Sequence, residues 1–159
     1  MPEQVKQKIF KDGFVNTGAR GIRNNNPGNI RHSNSKWQGL AATQPDSKFC
    51  AFISAEFGIR ALMKLLQTYT KYQGKPNIGC GKIDTVEEII ERWAPSGDNN
   101  HTENYIKRVC KETGFGRHDC LNLYDKDTSL AMAKAIVAVE NGQQPYVDDV
   151  FKRAWTLIG

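Results

Sequence analysis

Apolar residues recur at helical spacing along most of this chain, and almost nowhere at the two-residue spacing of a strand. Gly58, Leu62, Leu65, Leu66, Tyr69 and Tyr72 follow Ser54, a good N-cap, and Gly74 and Pro76 close the run. Val86, Ile89, Ile90 and Trp93 form a second stripe, opened by the Thr85-x-x-Glu88 capping box and stopped by Pro95. A third helix is predicted over Thr102–Thr113, with Tyr105, Ile106 and Val109 inward and Gly114 after its end. A fourth runs from about Thr128, capped by Asp127 or Thr128, to Asn141, with Gly142 as its stop. A last helix covers Val147–Leu157, and Lys48–Ile53 reads as one short strand. The fold class is therefore mainly α, with long ordered loops and little or no strand.

The 159 residues suit one domain with a real core. Residues 1–20 are expected to form an N-terminal extension packed on that domain, with a short helix over Glu3–Lys11, and residues 21–159 the domain itself. No apolar run approaches the roughly 20 residues of a membrane helix, so no membrane insertion is expected. The start, MPEQVKQKIFKDGFVNTG, lacks the apolar core of a secretory signal. The net charge of +5 favours polyanionic partners. The basic residues are scattered, however, and no nucleic-acid partner is expected.

The residues carrying chemistry fall into four groups. Gly21-Ile22-Arg23-Asn24-Asn25-Asn26-Pro27-Gly28-Asn29-Ile30-Arg31 is dense in asparagine, whose amide both donates and accepts, as reading sugar hydroxyls and acetamides requires. The same composition also suits consecutive turns. In the fourth helix Glu140 shares a face with Leu130, Ala133 and Val137. A carboxyl there is either desolvated, and so kept protonated as a general acid, or frayed into water at the helix end. Trp93 to Tyr105 supplies Asp98 as a second carboxylate, though Asp98 also suits a simple turn. Glu56 is a further candidate acid. Its place in a first helical turn favours the ionised form and a structural role.

The cysteines are Cys50, Cys80, Cys110 and Cys120, with no Cys-x-x-Cys pair. They permit two disulfides, and four ordinary buried thiols are the simpler expectation. A cysteine amidase built on Cys80 with His101 or His118 is an alternative. With three histidines and no His-Glu-x-x-His, no metal and no cofactor are expected.

The Gly21–Arg31 segment resembles the opening of a group of phage-associated, lysozyme-like proteins. Trp37-Gln38-Gly39, Phe52, Ser54-Ala55-Glu56, Gly58-Ile59-Arg60-Ala61, Trp93-Ala94-Pro95, Tyr105 and Glu140-Asn141-Gly142 follow the same pattern, over about residues 20–159. Members are described as virion structural proteins or as lysozyme-like enzymes. Ala135–Pro145 is also similar to the motif of lytic transglycosylases and goose-type lysozymes: an apolar helix, then Glu-Ser-Gly-x-x-Pro. Here Asn141 replaces the Ser, and the Asn-rich loop comes first, which suggests a circularly permuted order.

The resemblance implies a lysozyme-like helical domain that cleaves peptidoglycan, with Glu140 as acid and Tyr105 beside it. Arg23, Asn26, Asn29 and Tyr105 become candidate glycan contacts, with Trp37 either stacking on a sugar or packing in the core. It also implies action in the periplasm or cell wall after delivery by a phage particle, a holin or contact-dependent secretion. In the last case an immunity protein is the expected partner. A virion protein that binds glycan without cleaving it is the non-enzymatic alternative.

Overall fold

The computed structural model describes residues 7–98 and 101–159, the side chain of Asp98 excepted. Among them the chain is mainly helical and forms no sheet. The helices are α1 (Arg20–Arg23), α2 (Ala55–Tyr69), α3 (Val86–Trp93), α4 (Thr102–Thr113), α5 (Lys126–Asn141) and α6 (Asp148–Thr156), with a 3-10 turn at Ser96–Asp98.

Helix α5 is the axis of the fold. Met132, Ala133, Ile136 and Val137 are fully buried, and Leu130, Ala135 and Ala138 nearly so. A helix apolar on most of its faces must be surrounded. Here α4, α6, α2 and α1 surround it. Its small side chains let those neighbours approach, so the residue ending α5 emerges where several elements meet.

Most helix ends follow the expected chemistry. Ser54 accepts from Phe57 N at 3.4 Å and opens α2. Thr85 Oγ1 accepts from Glu88 N at 3.2 Å and opens α3. The Glu88 carboxylate does not return to the Thr85 amide, however. It accepts from the Thr85 hydroxyl at 2.8 Å and from Lys75 N at 2.6 Å, so it also fastens the preceding loop. The cap of α5 is Asp125, not Asp127 or Thr128, because its carboxylate reaches both the backbone N–H and the hydroxyl of Thr128. Helix α2 ends at Tyr69. Tyr72 lies in the following turn, 50% exposed, with the Arg92 guanidinium over its ring.

Several expectations are corrected. Residues 7–11 form no helix, and Glu3–Lys6 lie outside the described residues. Phe10 instead bridges Tyr146 and stacks on its ring, and Lys11 N donates to Pro145 O at 2.9 Å. The strand over Lys48–Ile53 is reduced to isolated bridges, Arg31 with Phe49 and Leu40 with Phe52. Its hydrogen bonds go to separate loops, so no ladder propagates. The four-thiol reading also falls. Cys80 and Cys120, 40 residues apart, form a disulfide with Cα atoms 5.4 Å apart, while Cys50 and Cys110 stay free. On chain-entropy grounds, closing a loop of that size contributes on the order of 3–4 kcal/mol.

The Asn-rich segment docks on the start of α2. A side chain at Gly58 would put its Cβ 1.9 Å from the Asn25 carbonyl oxygen, so only glycine permits this approach. Asn25 and Asn29 adopt positive φ, 51° and 53°, which asparagine tolerates better than other non-glycine residues.

Candidate active site

Glu140 projects from the last turn of α5 into an open groove of about 600 Å³. One wall is the segment Gly28–Ser33. Trp37, Phe49, Leu65, Tyr69 and Trp93 add apolar and aromatic surface, and Lys48 lies at the rim. Among the described lining residues Glu140 is the only carboxylate.

The end of α5 is tied to the wall it faces. Asn141 Nδ2 donates to Pro27 O at 2.9 Å and to Val137 O at 2.8 Å. Asn29 Nδ2 donates to Glu140 Oε1 at 3.3 Å. Gly21 is small where these groups converge: a Cβ there would meet Asn26 O, Asn29 Oδ1 and Asn141 Oδ1 at 3.0–3.1 Å. Gly142, at φ 74°, then lets the chain leave.

Burial pushes the Glu140 carboxyl above its ordinary range, and the Asn29 hydrogen bond and the nearby Tyr105 hydroxyl pull the other way without reversing the shift. The negative end of the α5 dipole also disfavours a carboxylate there. Tyr105 is 8% exposed, and its hydroxyl is pushed well up by burial and then by the neighbouring Glu140 charge. That hydroxyl lies close to Glu140 without closing a hydrogen bond of normal geometry. Asn29 Oδ1 and Trp37 Nε1 are also buried without partners, so the site holds unspent hydrogen-bonding capacity.

This shift has a consequence for stability. Below the ordinary carboxyl value of 4.5, folded and unfolded chains both hold the proton and the shift costs no stability. As pH rises through that value the unfolded chain ionises first, so stability is lost until pH passes the raised folded value. Glu140→Gln has no such loss. Its melting temperature is expected to exceed that of the wild type increasingly across this window and by a constant margin above it. Thermal melts of both proteins against pH check this, and parallel curves contradict it.

The structure sorts the other candidates. It brings Glu140, Asn29, Tyr105 and Trp37 together, with Tyr105 behind the acid rather than in the groove. Asn26 is 0% exposed and cannot touch a glycan. Its amide donates to Ile30 O and Cys50 O and accepts from Ile30 N. Arg23 is exposed, donates to Gly18 O at 3.0 Å and does not line the groove. Glu56 is held by Arg153 at 2.9 Å, away from the groove, so it is a structural ion pair. The backbone of Asp98 ends the 3-10 turn, and its side chain lies outside the described residues.

Cys80 is spent in the disulfide, and His118 pairs with Glu87 at 3.1 Å, which removes the predicted thiolate. Cys50 lies 3.9 Å from His32 Nδ1, but it is buried and its thiol is pushed up by that burial. It suits a packed thiol, not a nucleophile.

Sequence reasoning passed over Lys48, Phe49 and Trp93 as lining residues. Trp93 was legible as an apolar helix position and as part of the Trp93-Ala94-Pro95 pattern, without a role in the groove, and Lys48 and Phe49 come to the groove by pairing with Arg31 and His32.

No protein-family model matches the sequence. The chain is 37% identical over 150 residues to "Protein P5" of Pseudoalteromonas phage PM2, an alignment covering 91% of this chain and 86% of that protein. This chain belongs to the family of that phage protein.

Proposed function

We propose that this protein cleaves the glycan strands of bacterial peptidoglycan, with Glu140 as general acid and then base. The observation that carries the reading is a desolvated carboxyl at the end of a buried helix, opening into a groove with aromatic and amide walls and no second described carboxylate. A carboxyl kept protonated by burial is the group needed to protonate a glycosidic oxygen. Two-carboxylate hydrolysis requires a partner acid across the groove. With Glu140 the only carboxylate among the described lining residues, an intramolecular route is the one these residues can perform.

In that route Glu140 gives its proton to the oxygen between MurNAc C1 and GlcNAc C4. The C1–O bond breaks and its electron pair leaves with that oxygen. The Glu140 carboxylate then takes the proton of the MurNAc C6 hydroxyl, whose oxygen bonds to C1. The products are a free GlcNAc 4-hydroxyl and a 1,6-anhydro end, with no water consumed. Asn29 orients the carboxyl, and the nearby Tyr105 hydroxyl is placed to bond it once substrate closes the site. The phage relative fits a chain carried to the wall by a particle.

Mass spectrometry of a sacculus digest tests the route. Fragments lighter by one water than reducing-end muropeptides are expected, and reducing ends contradict it. A phage relative whose name carries no activity fits equally the alternative of a virion protein that binds glycan without turnover. Stable binding with no new glycan ends from folded protein selects that reading.

A further inference from the structure

The charges of the groove are lopsided. Its one described carboxylate is the desolvated Glu140, whereas Arg31 and Lys48 line it as cations. Both are exposed. Neither meets a carboxylate among the described residues; the Lys48 ammonium sits 5.4 Å from the Phe49 ring centre. Elsewhere Arg20, Arg117 and Arg153 are each paired with an acid.

The two cations are also fixed relative to each other. Arg31 bridges Phe49, and His32 N donates to Lys48 O at 3.0 Å, so both side chains leave paired backbone segments beside the same groove. The Asp46 carboxylate caps Lys48 N and Phe49 N while held by Arg20, so it is not available to neutralise them. Two unpaired cations over a groove create a local positive potential that selects an anionic ligand.

A neutral sugar chain offers these cations hydroxyl and acetamide acceptors but no opposite charge. The peptide stems hanging from muramic acid do offer it, because they carry free carboxylates. We infer, resting on the glycan reading above, that Arg31 and Lys48 bind stem-peptide carboxylates. The groove then takes peptide-bearing strands in preference to strands whose carboxyls are neutralised. Arginine suits this task through its two-pronged donation to a carboxylate.

The test is co-sedimentation in the Glu140→Gln background, so that binding is read without turnover. The walls are native sacculi and sacculi whose carboxyls have been converted to amides with carbodiimide and ammonium. Binding by the parent is expected to weaken roughly tenfold on amidation, the scale of two modest ion pairs. Adding Arg31→Gln and Lys48→Gln should weaken binding to native wall and abolish most of the discrimination. Adding Lys107→Gln and Lys111→Gln, an equal change of net charge on exposed α4 positions, should preserve it.

Equal binding to both walls by the parent overturns the inference. So does discrimination that survives in the Arg31/Lys48 variant, or that both double variants lose equally. Cleavage by the wild type is scored separately. Discrimination without cleavage upholds the binding inference and removes the glycosidase reading, and cleavage without discrimination does the reverse.

Discussion

Glu140→Gln is expected to slow the clearing of purified peptidoglycan by about 10²–10⁴-fold, the usual contribution of a positioned acid–base group. The substitution is nearly isosteric. Its amide oxygen can still accept from Asn29 Nδ2, which reaches Glu140 Oε1 at 3.3 Å. What is lost is the transferable proton. The folded state is not expected to suffer, because a neutral amide replaces a carboxyl whose ionisation burial opposes. The variant should therefore melt no lower than the wild type at neutral pH while losing activity. That combination separates a catalytic role from a structural one. Equal clearing by both proteins removes Glu140 from the chemistry.

Asn26→Ala carries the largest expected effect on stability. Asn26 is 0% exposed, and its amide satisfies Ile30 N at 3.0 Å, Ile30 O at 2.9 Å and Cys50 O at 2.9 Å. Alanine would strand Ile30 N and Cys50 O in a dry interior, at about 1–3 kcal/mol each before relaxation, while Ile30 O keeps the Cys50 N–H at 2.9 Å. Allowing for relaxation, the net loss is about 2–4 kcal/mol, or about 5–12 °C in melting temperature for a chain of this size. Urea unfolding measures it. A loss under about 1 kcal/mol would mean that this amide does not hold the loop. The same loop carries Asn29 into the groove, so activity should fall with stability.

Asn26 and Asn29 show where sequence reading stops. They sit three positions apart in one motif and are chemically identical, yet one is sealed in backbone bonds and the other faces the acid. Nothing local distinguishes them. Their roles depend on Cys50 and Glu140, which reach them only in the folded chain. The mainly α class was legible because helical stripes and stop signals are local. The bounds of α4, Thr102–Thr113, follow from its stripe and from Gly114. The start of α5 was misread because Asp125, Asp127 and Thr128 can all cap, and only geometry selects Asp125.

Glu140 was legible as a carboxyl ending an apolar stripe. Glu56 was a credible rival until Arg153, far along the chain, was found against it. The Cys80–Cys120 bond was hidden for the same reason, since its partners share no motif. Arg31 stands in the motif that drew attention, but its role depends on Lys48, brought beside it by the Arg31–Phe49 bridge.

The most direct test of the account is digestion of purified sacculi by the wild-type protein in ¹⁸O-labelled water, followed by mass spectrometry of the soluble fragments. Cleavage by Glu140 with the sugar's own C6 hydroxyl predicts fragments with 1,6-anhydro ends and no ¹⁸O. Reducing ends carrying ¹⁸O, or no fragments at all from folded protein, would contradict it.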